Sequence, residues 1–402
     1  MSDLRAPFIR FKNKSPQELF KGVRTPFYAI DEMMLKRNGM IIKDICDRTG
    51  AKILLALKCF SNFNLFPLLS NYISGTEASG LFEARLGKEE MPGKEVHVFC
   101  AGFREDEIEE ILEYADHIVF NSVNQLKKYG PLAKSKNKSI GVRVNPEFST
   151  QIGHDIYDPC SKGSRLGITL DQWNNYMTDE LISLLDGIHF HTLCQQNSDD
   201  LEKTLYAVEE KFGKYFSNLK WINFGGGHHL VREDYDIDRL IKCINYVKNK
   251  YHLDVYLEPG EGVVLNAGYL VSSIVDTFKS NGMLFAIHDT SAACHMPDVI
   301  EMPYLPPLYE SDSEGSQYTY HFGGPTCLSG DSTGIYNMPR ELHEGDMIVF
   351  GDMALYTMAK NNTFNGMPLP NIYILHEDDS LEKLTDFGYK DFKYRLGKMH
   401  NK

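Results

Sequence analysis

KILLALK, residues 52–58, is an apolar run closed by a lysine, Lys58, and followed by CFSN to residue 62. A strand with one face in water alternates polar and apolar residues, whereas Ile53–Leu57 is continuous and reads as a strand buried on both faces, as in a parallel sheet. The lysine at its end has two readings. Either its aliphatic stem carries the ammonium out to water, or it is a buried amine, which gives up its proton more readily and then attacks an aldehyde.

Seven further runs of the same kind follow along the chain: residues 71–78, 95–102, 116–122, 139–146, 186–192, 220–227 and 254–261. Between them, stretches such as residues 103–115, 122–134 and 236–250 carry apolar residues at spacings of three and four with charged outer positions, the pattern of amphipathic crossover helices. Eight strand and helix alternations predict a (β/α)8 barrel of the TIM type, whose chemistry sits on the loops leaving the C-terminal ends of the strands. Lys58, His191, Gly225–Gly227 and Glu258 all stand at such ends although they are far apart in the chain.

Beyond about residue 268 the pattern changes to strands parted by Pro- and Gly-rich turns: 271–278, 282–290, 317–325, 346–353 and 371–378. This predicts a second, mostly β domain, a sandwich or barrel. FYAID, residues 27–31, is a strand ahead of the first helix and belongs with it. The expected division is residues 32–268 for the barrel, with residues 1–31 and 269–402 forming the discontinuous β domain.

Among 402 residues, 42 Lys and Arg stand against 55 Asp and Glu, a net charge of −13, which argues against nucleic acid or an anionic membrane as partner. The N-terminal residues are mixed and polar, and no apolar run approaches a membrane span, so a cytoplasmic protein is expected. The 8 cysteines form no CxxC pair, which predicts no metal site and no disulfide framework. Most should be buried thiols.

Three consecutive glycines, 225–227, follow the apolar strand WINF and let backbone N–H groups approach a phosphate, as loops after strands seven and eight of such barrels do. The competing reading is a tight turn. A phosphate site together with an aldehyde-seeking lysine points to pyridoxal 5′-phosphate. Glu258, in LEPGEG, is then a candidate for the carboxylate that keeps the pyridine nitrogen protonated, and His191 for an imidazole stacked on the ring. Singly, each is as readily a structural group. Cys327, framed by Gly, Pro, Ser and Gly, reads as a thiol in an exposed turn that could deliver a proton, and Tyr356 as a donor to a phosphate.

The motifs LALK (55–58), FHTL (190–193), NFGGG (223–227), EPGE (258–261), GPTCLSGD (324–331) and the Tyr356 segment with TFNG (363–366) resemble, in order, those of the fold-type III, alanine-racemase-like decarboxylases. That group holds the ornithine, arginine and diaminopimelate decarboxylases, and the resemblance covers nearly the whole chain. It implies that Lys58 holds the cofactor aldehyde, that His191 stacks on the ring and that Glu258 pairs with the pyridinium nitrogen. Gly225, Gly226, Gly227 and Tyr356 bind the phosphate on the same footing, and Arg143 matches an arginine near the ring, with a structural salt bridge as its other reading. Cys327 is implied as the proton donor, presented across a homodimer interface.

Two positions depart from the amino-acid decarboxylases. They read EPGR where this chain has Glu261, and they place an acid after the cysteine where it has Leu328. An apolar residue cannot pair with a terminal ammonium, and an added carboxylate suits a polycation. Both departures resemble the branch acting on carboxynorspermidine and carboxyspermidine in polyamine biosynthesis. Glu261, Asp298, Glu301 and Asp331 are the candidate substrate contacts, with surface acids as the plain alternative. Diaminopimelate, ornithine or arginine decarboxylase is the enzymatic rival, and an inactive regulatory relative of the antizyme-inhibitor kind is the rival from another class.

Overall fold

A computed structural model describes residues 8–151 and 158–398, in two compact units: Lys36–Val263, and Met1–Leu35 with Val264–Lys402. The expected boundaries at 31/32 and 268/269 shift by a few residues. The Asp31 N–H donates to the Ala267 carbonyl at 2.8 Å and the Asp31 side chain accepts from the Met34 N–H, so short stretches beyond both predicted edges already belong with the sheet.

Strand β1 (Phe27–Asp31) belongs to the second unit. The first unit is a closed parallel barrel of β2 (Lys52–Ala56), β3 (Gly75–Ala78), β4 (Glu95–Cys100), β5 (His117–Phe120), β6 (Ser139–Arg143), β7 (Gly187–His189), β8 (Trp221–Asn223) and β9 (Asp254–Leu257) in chain order. It closes where Lys52 pairs with Tyr256 and Ile53 with Leu257. The eight runs read from the sequence are these eight strands, each shortened at one or both ends.

The crossover helices start where side chains can replace missing backbone partners. Ser122 accepts from the Gln125 N–H ahead of Val123–Ser135, and Asp236 accepts from the Arg239 N–H ahead of Ile237–Tyr251. The helix expected over 103–115 is shorter, Ile108–Tyr114, because residues 101–107 form bends and turns.

The barrel interior is filled by Leu54, Val119, Trp221 and Tyr256. Glycines make room for the indole: a Cβ on Gly187 would lie 2.0 Å from the Trp221 ring, and one on Gly141 2.3 Å from it. Near the strand N-termini, Lys52 Nζ donates to Glu95 at 2.7 Å and to the Tyr256 hydroxyl at 2.8 Å. Here Glu95, His97 and His117 bring three ligand-type atoms within 4.8 Å of one another, a cluster not foreseen from the sequence. The His97 and His117 rings are stacked at 3.9 Å and 10°. A zinc-type ion bonds in the plane of an imidazole and cannot lie in two parallel planes at once, and Lys52 already balances Glu95.

The second unit is one curled eight-stranded sheet rather than a sandwich or a barrel. Its order is β13 (Ser332–Met338), β12 (Tyr318–Gly323), β11 (Met283–His288), β10 (Gly268–Ser280), β1, β15 (Asn371–Leu375) and β16 (Leu381–Lys383), with β14 (Met347–Gly351) also on β10. The long β10 explains this: its first part pairs with β1 and β14, its second with β11, and the register shifts between Ile274 and Asp276. β13 and β16 were not expected. In β13 the apolar Ile335 is exposed while the polar Thr333 is buried, so residue polarity does not follow burial along the strand. Among the described residues, no helix is long and apolar enough to cross a membrane.

Candidate active site

Lys58 lies two residues past β2, in the turn where that strand leaves the barrel. With Arg143, His191, Leu193 and Cys194 it lines a cavity of about 540 Å³. The chain is tight behind it, for a Cβ on Gly260 of the EPGE segment would sit 2.5 Å from Cys59.

His191 follows β7. Burial and the cations of Lys58 and Arg143 hold its pKa well below the usual histidine value, so the ring is neutral. Its Nδ1 accepts from the Gly226 N–H at 3.2 Å, which leaves the proton on Nε2 and fixes the tautomer. Arg143 donates to the His191 carbonyl at 3.2 Å and lies 4.8 Å over the Phe99 ring. Among the described residues, a backbone carbonyl and an aromatic face stand in place of the alternative salt bridge.

The glycines at 225–227 are required by crowding. Gly225 and Gly227 have φ of +70° and +81°, and a Cβ there would meet the Phe190 and Leu193 carbonyl oxygens at 2.5 and 2.1 Å. The Gly225 N–H donates to Asn223 Oδ1 at 2.8 Å and the Gly226 N–H to His191, so two of the three amides expected to face a phosphate are engaged within the chain.

Glu258 is 5% exposed at the end of β9. Its oxygens accept from Asn223 Nδ2 at 2.6 Å and pair with His189 Nε2 at 3.0 Å. Burial opposes its charge, but His189, His97 and Lys58 prevail and hold the carboxyl below the ordinary range. Each oxygen retains a lone pair for one further donor. His189 and Asn223 had no signal of their own in the sequence beyond a polar residue inside a buried strand.

A second buried acid was missed. Glu77, on β3 beside Ala56 of β2, is 2% exposed, and its Oε2 has no hydrogen-bond partner among the described residues. Burial raises its pKa, with Lys58 pulling the other way and Glu258 and Glu83 adding to the rise. An acid within the wholly buried strand GTEA was the available clue.

The remaining barrel candidate, Glu261, is braced by its own chain: Gln195 Nε2 donates to both oxygens at 3.0 and 3.1 Å, and His229 lies 3.2 Å away. The sheet unit carries the other candidates. Asp298 and Glu301 both bind the Lys360 ammonium, an internal cation where a substrate amine was expected. Asp331 accepts hydrogen bonds from Ser291 and Thr326. Cys327 is exposed, as its turn suggested, and its thiol donates to Asn365 Oδ1 at 3.3 Å; Leu328 beside it is also exposed. Tyr356 sits at φ +52°, a conformation costly for a bulky side chain and often found at functional sites.

The barrel residues suit pyridoxal 5′-phosphate: an amine in a cavity, a flat neutral imidazole beside it, and a buried carboxylate kept charged with a lone pair to spare. The comparisons agree. The family model described as pyridoxal-dependent decarboxylase, C-terminal sheet domain, matches residues 27–354. The carboxynorspermidine/carboxyspermidine decarboxylase of Campylobacter jejuni subsp. jejuni is 39% identical over 94% of this chain and 99% of its own. The carboxyaminopropylagmatine decarboxylase of a Synechocystis species is 37% identical over 93% of this chain and 95% of its own. The solved structure of a C. jejuni carboxynorspermidine decarboxylase complexed with norspermidine superposes with a TM-score of 0.85 at 39% identity, covering 93% of this chain and 100% of that one. With fold, cavity chemistry and relatives in accord over both units, the chain belongs to the pyridoxal-dependent decarboxylases, and pyridoxal 5′-phosphate is its cofactor.

Proposed function

We propose that the chain decarboxylates carboxynorspermidine or carboxyspermidine, giving norspermidine or spermidine in polyamine biosynthesis. The observation that carries this reading is the C. jejuni relative, whose 39% identity runs through 94% of this chain and 99% of its own, so that both units are matched. Leu328 supports it. Where the resemblance places an acid for ornithine or diaminopimelate, this chain presents an apolar surface to a methylene chain.

When bound, the cofactor withdraws electrons from the substrate's α-carbon so that carbon dioxide can leave. In this reading Lys58, at the cavity wall, would be the amine that holds the cofactor. Neutral His191 would meet the cofactor ring, and Arg143 holds the His191 backbone through its carbonyl. Glu258, which stays charged, would favour a protonated ring nitrogen. Gly225, Gly226, Gly227 and Tyr356 surround the phosphate, Gly225 and Gly226 through their lack of side chains more than through their N–H groups. Cys327 returns a proton to the α-carbon from the neighbouring copy in a homodimer. Glu261, Asp298 and Glu301 answer the cationic part of the substrate, whose ammonium displaces Lys360. The protein works in the cytoplasm.

A second reading, decarboxylation of carboxyaminopropylagmatine, is favoured by the 37% identical Synechocystis relative. Carbon dioxide release from carboxynorspermidine, carboxyspermidine, carboxyaminopropylagmatine and diaminopimelate decides between them. The two polyamine carboxylates, which differ by one methylene, should both turn over, with kcat/KM at least about tenfold above the other two. Faster turnover of carboxyaminopropylagmatine or of diaminopimelate overturns the choice.

A further inference from the structure

Asp331 stands among the expected substrate contacts, yet its carboxylate is filled by its own chain. It is 6% exposed. Oδ1 accepts from the Ser291 hydroxyl at 2.9 Å and the Ala293 N–H at 3.4 Å, and Oδ2 accepts from the Thr326 hydroxyl at 2.6 Å and its N–H at 3.3 Å. An ionised carboxylate offers about four lone-pair sites, so these donors leave little for an ammonium.

The donors come from two segments. Ser291 caps the short helix Ala292–His295, three residues ahead of the turn Asp298–Glu301 that carries two candidate substrate acids. Thr326 immediately precedes Cys327. The Asp331 backbone closes the same turn, its N–H donating to the Leu328 carbonyl at 2.9 Å and its carbonyl accepting from the Gly324 N–H at 2.9 Å. Gly324 is needed for this, since a Cβ there would lie 2.3 Å from Oδ2. On the other side, Asn362 donates its N–H to the Cys294 carbonyl at 2.9 Å and its side-chain amide to the Ala293 carbonyl at 2.8 Å. Three residues on, Asn365 accepts from the Cys327 thiol.

We propose that Asp331 is a positioning residue: it ties the turn carrying Cys327 to the 291–301 segment, so that the thiol protonates the α-carbon and not another site. This rests on the reading of Cys327 as proton donor. When carbon dioxide leaves, its bonding pair stays behind, and a proton taken at the α-carbon gives the amine. A proton taken from water at the cofactor's aldehyde carbon leads, with one water consumed, to the substrate-derived aldehyde, the nitrogen remaining on the cofactor as pyridoxamine phosphate. The ratio of amine to aldehyde therefore reports where the proton is delivered, which a general loss of stability does not change.

The test compares Asp331→Asn with the parent and with Cys327→Ala, using carboxynorspermidine and the cofactor-loaded enzyme, with iodoacetamide alkylation of Cys327 in cofactor-free protein read by peptide mass spectrometry. Asn keeps the shape but turns one acceptor oxygen into a donor amide facing donors. The aldehyde fraction should rise about tenfold to a hundredfold, as a small misplacement of a reacting group allows, and alkylation of Cys327 should accelerate. Amine as the only product together with an unchanged alkylation rate overturns the proposal. If Cys327→Ala itself yields only amine, the donor reading falls separately, and the alkylation rate alone decides whether Asp331 positions the turn. Should Asp331→Asn fail to fold, Thr326→Val removes one of the four donors and takes its place with the same outcomes.

Discussion

Among single residues, Glu77 gives the sharpest physical test, because its carboxyl is buried, lacks a partner on one oxygen among the described residues and is shifted upward. A carboxyl whose folded pKa lies above its unfolded value adds stability below the unfolded value and loses it as pH rises through the folded one. In Glu77→Gln the neutral amide stands in for the protonated acid. The variant's Tm should match that of the parent at pH 5, and at pH 8 the parent should have lost stability that the variant keeps, both measured on cofactor-free protein. An unchanged difference across that range would place the proton elsewhere. Lys58, His191 and Glu258 could be proposed from the sequence because each follows a strand-like, mostly apolar run, where a polar residue is conspicuous. Glu77, His189 and Asn223 were not, because they meet the site only after strands distant in sequence close into a ring.

At the scale of elements, the strand runs were readable from continuous apolar stretches, whereas the spacing between strands depends on pairs no local pattern reveals. Gly187 of β7 and Gly141 of β6 exist to admit Trp221 of β8. Gly187→Ala should force the indole or the strand to shift at a cost of about 1–3 kcal/mol, as overpacked cores do, seen as a lower midpoint in urea with an unchanged m-value. A midpoint equal to that of the parent would mean that the barrel wall is looser than described. In the other unit, β13 and β16 escaped the sequence reading for the opposite reason: β13 exposes Ile335 and buries Thr333, and the three-residue β16 has a single apolar residue, so neither shows a polarity pattern. The sheet's curl was equally hidden, since it depends on one long strand, β10, pairing with different partners along its length.

Taken whole, the molecule divides its candidate chemistry between two units: Lys58, Arg143, His191, the glycines, Glu258 and Glu261 in the barrel, and Asp298, Glu301, Cys327, Asp331 and Tyr356 in the sheet unit. The family model runs from residue 27 to residue 354 and so spans both. What the chain does was legible through motif order. The partners of the candidate substrate acids were not, because Lys360, Gln195 and Ser291 reach Asp298, Glu301, Glu261 and Asp331 through contacts between distant segments. In the proposed reading, Lys58 carries the cofactor at the rim of the barrel. Reducing the cofactor-loaded protein with borohydride and mapping its peptides by mass spectrometry tests this directly. The account predicts a phosphopyridoxyl group on Lys58, absent in Lys58→Ala; its appearance on another lysine, or its persistence in that variant, would contradict it.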